Sequence, residues 1–105
     1  MSAATWGALA QVIERHDPWC RGVLLLGLEA QEDELGEAFA VAARQPLCKG
    51  FAVGRTLFAP AAAAWFAGTL DDAGVVADVA DRYQRLIRLW RNARRAAAPA
   101  SEETA

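Results

Sequence analysis

Apolar residues at Trp6, Leu9, Ala10, Val12 and Ile13 recur at helical spacing and predict a first helix over residues 3–16. Asp17-Pro18 ends it, because the residue before a proline avoids the α region. From Arg21 to Gly27 the pattern changes to a short unbroken apolar run with glycine near each end. Period-2 alternation is missing, as expected of a strand buried on both faces in a parallel sheet. Glu32, Asp33 and Glu34 crowd the first turn of a second helix, where carboxylates oppose the positive helix end. Leu35, Ala38, Phe39 and Ala42 supply its apolar face, and Gln45-Pro46 stops it. Cys48 to Gly54 reads as a second buried strand. Together these segments predict a βαβ unit: strands near 22–27 and 48–54, parallel and adjacent, joined right-handedly by the helix over 31–44.

After Arg55 to Ala59, Pro60 suits the first turn of a short helix that reaches Ala67, with Gly68 as its stop. Asp71-Asp72 offers an N-cap to a long last helix over about 73–95. Val76, Val79, Ala80, Tyr83, Leu86, Ile87 and Trp90 fall within an arc of roughly 120°, a wide face for burial. Asp78 with Arg82 and Asp81 with Arg85 are i,i+4 pairs on its exposed side. Residues 97–105 read as a polar, disordered tail, and no internal repeat is visible.

The chain has 105 residues, enough for one small domain, and at 54% hydrophobic it is not a disordered sequence. A net charge of −2 supplies no bulk attraction to nucleic acid or to an anionic membrane. The arginines at 82, 85, 88, 91, 94 and 95 wrap the last helix instead of lining one groove. No apolar run approaches the roughly 18–20 residues that span a bilayer. The amino terminus lacks a secretory pattern, so the expectation is a cytoplasmic protein with Cys20 and Cys48 as free thiols. No cofactor is implied, and Asp71 and Asp72 have no third ligand nearby for a metal.

The chemistry-bearing segment is Gly50 to Thr56. A buried strand that ends in glycine brings backbone N–H groups close to an anion, and a following helix aims its positive end at the same point. Gly27 and Gly54 both close their strands at the carboxyl end, where α/β proteins place ligands. The element order matches the end of a parallel barrel, whose last two loops and a short extra helix form a phosphate site. The expected fold class is therefore α/β, the last quarter of a (β/α)8 TIM-type barrel, with two parallel strands and four helices. Gly27, Gly54, Arg55 and Thr56 are the candidate phosphate contacts; the plain alternative is a tight turn at Gly54 with a solvated Arg55. Glu29 is a candidate for a sugar hydroxyl, with capping or surface charge as its alternative. The sole lysine, Lys49, lies at the opposite end of its strand, roughly 16 Å from Gly54, which removes the amine a Schiff-base aldolase requires. No catalytic residue is assigned, and His16 reads as a cation at a helix C-terminus.

Cys20 to Glu29, Lys49 to Phe58, Ala64 to Gly68, and Tyr83, Leu86, Trp90 and Arg91 resemble the aldolase-like domain appended to bacterial 5-dehydro-2-deoxygluconokinases of myo-inositol catabolism. The resemblance runs from about Trp6 to Arg95, with Lys49 to Phe58 its most specific part. It implies a phosphosugar-binding C-terminal segment, inactive alone, of a partial barrel domain over 1–96. It also implies that the kinase domain and the earlier strands precede Met1, or belong to a separately encoded partner. A rival reading is a non-catalytic docking module that uses its apolar faces to complete another chain's barrel. Expected partners are a phosphorylated sugar and either a second copy or the missing half with its kinase domain.

Overall fold

The computed structural model describes residues 1–28 and 30–97; Glu29 and the expected tail from residue 98 lie outside them. The chain runs α1 (Ala3–His16), β1 (Val23–Leu26), α2 (Glu32–Ala42), β2 (Cys48–Ala52), α3 (Arg55–Phe66) and α4 (Asp72–Ala97). Helix accounts for 66% of the described residues, and the strands are only four and five residues long.

β1 and β2 pair in parallel, with Leu24 opposite Gly50, Leu25 opposite Phe51 and Leu26 opposite Ala52. Leu25 and Phe51 face a core built around Leu35, Phe39, Leu57 and Leu86. Phe39 anchors it, with ring centroids 4.8 Å from Phe51 and, edge-on, 5.4 Å from Trp90. α2 and α4 thus cover one face of the sheet. On the other, Leu24 and Leu26 are 56% and 62% exposed.

That exposure, the shortness of the strands and the dominance of helix correct the expected fold class. The chain is mostly helical around one short parallel pair, and nothing in it shows a quarter of a (β/α)8 barrel. The unbroken apolar run at 23–26 suggested cover on both faces, yet burial along β1 alternates. An apolar run reports what a strand is made of, not what lies against it. Similarly, α1 buries only Trp6 of its apolar face, and α4 only Leu86. Val76 and Tyr83 of the predicted buried arc stay exposed. A 26-residue helix runs about 39 Å, longer than the small sheet it packs on. A radius of gyration of 16.8 Å, against about 13 Å for a compact chain of this length, agrees with that extension.

The helix ends follow local chemistry. Ser2 Oγ accepts the Thr5 amide at the start of α1. The Glu34 carboxylate accepts the Gln31 N–H at the start of α2. α3 starts five residues earlier than Pro60 suggests, because the Gly54 carbonyl already accepts the Leu57 and Phe58 amides. Pro60 lies inside this helix, where it only deprives the Thr56 carbonyl of a donor. α3 ends as predicted at Gly68, whose φ of +77° lets the chain reverse. Gly68 N–H then donates to Trp65 and Thr69 N–H to Ala64, the paired bonds of a Schellman stop. Asp71 caps α4 through the Gly74 amide at 2.8 Å.

Candidate functional site

Both strands deliver their chains to the carboxyl end of the sheet, and there three of the four candidate contacts fall in sequence. Gly54 is the N-cap of α3, and Arg55 and Thr56 form its first turn. The expected turn is therefore a helix start. Gly54 has φ −133°, outside the left-handed region, and a Cβ there would make only a snug contact with the Phe58 ring at 3.4 Å. Its glycine is not demanded by a tight turn. The positive end of the α3 dipole lies at this point.

Gly27 occupies the neighbouring strand end for a different reason. A Cβ on it would come within 2.5 Å of Val53 Cγ1 and 3.3 Å of Leu35 Cδ2. Its N–H donates to the Ala52 carbonyl at 3.1 Å. That amide is committed to the sheet, so Gly27 shapes the site without donating to an anion. Beside it, Leu28 adopts φ +52°, the only positive φ at a non-glycine among the described residues. For a leucine this costs about 1–2 kcal/mol, and strain of this kind clusters at ligand sites. Glu29 lies outside the described residues.

Thr56 Oγ1 donates to the Ala30 carbonyl at 2.7 Å, which ties the start of α3 to the β1–α2 connection. Its hydroxyl proton is thus engaged, leaving the oxygen as an acceptor. Arg55 stands where three hollows meet. One, of about 340 Å³, lies among Gln31, Glu32, Thr56, Pro60 and Arg82. A second includes Gly27, Leu28 and Glu34. The third is apolar, with Leu26, Val53 and Phe58 in its wall. Gly27, Gly54 and Thr56 each share at least one of these hollows with Arg55.

Sequence reasoning missed the ionic network behind the first hollow. Glu32 accepts from Arg85 Nη2 at 2.9 Å and Nε at 3.3 Å, and Arg82 Nη1 approaches it at 3.8 Å. Arg82 also bonds Asp78 at 2.8 Å, and Arg85 bonds Asp81. The i,i+4 pairs are real, but their arginines also clamp α2 to α4. The Arg85 hydrogen bond holds the Glu32 carboxyl below its ordinary pKa against the opposing effect of burial, with further help from the charges of Arg85 and Arg82. The same bond raises the Arg85 guanidinium. Glu32 in the first turn of α2 was the available signal; no local pattern points 53 residues on to Arg85.

The opposite end of the sheet carries less. Lys49 Nζ donates to the Pro46 carbonyl at 2.8 Å, and His16 is exposed at the end of α1. Cys48 is fully buried and Cys20 partly so, both as free thiols. Among the described residues no three His, Cys, Asp or Glu side chains gather to hold a metal. Among the same residues no helix is long and apolar enough to cross a membrane.

A family model described as "Uncharacterized protein conserved in bacteria (DUF2090)" matches residues 1–94. No curated protein and no solved structure matches the chain.

Proposed function

The chain belongs to the bacterial family DUF2090, and we propose that it binds a phosphorylated sugar at the carboxyl end of its sheet. The observation that carries this reading is the position of Arg55. It sits in the first turn of α3, at the positive end of the helix, and borders three hollows at that end of the sheet. Backbone dipole and guanidinium together favour an oxyanion of two or more charges. Arg82, across the first hollow, adds a second cation partly balanced by Asp78 and Glu32. The Thr56 oxygen and Gln31 offer groups of suitable size for hydroxyls. The sugar half of the ligand is supported by the resemblance of Lys49 to Phe58 to the domain joined to 5-dehydro-2-deoxygluconokinases. Binding, not turnover, is assigned to this chain, since its one lysine lies at the other end of β2.

The test is an amide-shift titration of the labelled chain with a hexose phosphate, inorganic phosphate and the unphosphorylated hexose. The phosphorylated sugar should move the Arg55 and Thr56 amides, with the bare hexose far weaker. Arg55→Ala should weaken binding about tenfold or more, the worth of one charged hydrogen bond. Equal responses to sugar and sugar phosphate, or shifts confined to the Lys49 end, would overturn the reading.

A further inference from the structure

The face of the sheet opposite the core is open, and its relief is uneven. Leu24 and Leu26 stand up along β1, while Gly50 and Ala52 lie directly across from them on β2. Leu28 and Phe58, 69% and 50% exposed, extend the ridge past the strand end. The open face is therefore an apolar ridge beside a trough.

No side chain of the chain itself fills the trough, although Gly50 follows the irregularity that leaves Lys49 unpaired between Cys48 and Gly50. Gly50 has no positive φ. A Cβ there would meet only Leu24 Cδ2, at an ordinary 3.6 Å. Gly27, by contrast, is forced by its neighbours. A strand glycine accompanies a bulge or leaves room for another backbone or a ligand to approach closely, and here the room left beside Leu24 lies open. Parallel sheets, moreover, rarely leave one face uncovered.

We infer that this face is where a second copy of the chain docks, the Leu24–Leu26 ridge of each copy lying in the Gly50–Ala52 trough of the other. A ridge and a trough side by side on one surface are self-complementary under a two-fold axis. The area also suits a dimer. Leu24, Leu26, Leu28 and Phe58 leave on the order of 450 Å² of apolar surface uncovered. One side of a standard interface, about 800 Å² and a little over half apolar, contributes about the same. The inference does not depend on the anion site and is measured without ligand.

Sedimentation equilibrium of the full chain across micromolar concentrations tests it. A reversible monomer–dimer equilibrium is expected. Leu26→Asp, which would bury an unpaired charge, should raise the dimer Kd at least about tenfold. Gly50→Ala, which the chain accommodates internally, should raise it by filling the trough, with the circular dichroism unchanged. Val76→Asp, an equally exposed apolar site on α4 behind the covered face, should leave it unaltered. A monomer at every concentration would overturn the inference. So would a dimer indifferent to both Leu26→Asp and Gly50→Ala, or a different protein bound at this face of an otherwise monomeric chain.

Discussion

The two faces of the sheet are made of the same strands and nearly the same side chains, yet only one is a core. Leu25 and Phe51 lie under Phe39, Trp90 and Leu86; Leu24 and Leu26, one residue away, stay more than half exposed. The pleat assigns neighbours to opposite faces, so what separates them is only which face α2 and α4 cover. Stability is therefore concentrated on one side, and the apolar surface of the other is left to association.

Truncation should expose that asymmetry most strongly. Phe39→Ala empties the centre of the core and should cost about 3–5 kcal/mol, much of a small domain's total of roughly 5–15 kcal/mol. Leu24→Ala on the open face should change monomer stability by no more than about 0.5 kcal/mol. Urea melts extrapolated to low protein concentration would compare them. A large loss at Leu24 in the monomer would mean that both faces are internally packed.

Adding a methyl group sharpens the comparison. Gly27→Ala drives a Cβ into Val53 Cγ1 and should cost about 1–3 kcal/mol. Gly50→Ala makes only an ordinary contact with Leu24 Cδ2 and should be neutral or stabilising by up to about 1 kcal/mol, because alanine loses less backbone freedom on folding. Equal thermal shifts for the pair would remove the distinction between a glycine forced by packing and one kept for an outside surface.

The smallest effect concerns the clamp between α2 and α4. Glu32 has a lowered pKa in the folded chain, so the folded state keeps this carboxyl ionised where the unfolded state takes up its proton. Its contribution is complete above the ordinary unfolded value and is lost as pH falls through the lower folded value. The pair is largely solvated, so Glu32→Gln should lower Tm at neutral pH by only about 1–4 °C. It should also flatten the acid limb of the stability profile below about pH 4. An unchanged acid limb would show that Glu32 carries no linkage.

Much of the element map was legible from local signals. Periodicity and Asp17-Pro18 bounded α1, the acidic first turn located α2, and Gly68 and Asp71 marked the stop and the cap between α3 and α4. The start of α3 was misread, because Pro60 looked like a first-turn residue and Gly54–Arg55 like a loop. The fold class was misread because an apolar strand carries no record of what faces it. Of the candidate site, the sequence named Gly54, Arg55 and Thr56 as a turn ahead of the helix; the structure makes them its N-cap and first turn. It did not foresee that the Gly27 N–H is spent on Ala52, and it could not see Glu32 meeting Arg85.

The sequence by itself determined where helices begin and end, since caps, prolines and apolar spacing act within a few residues of backbone. Tertiary structure alone decided which face of the strands became core, which glycine was crowded and which arginines joined α2 to α4. Those outcomes depend on groups far apart in the chain, and their energy exists only once packing has brought them within contact distance.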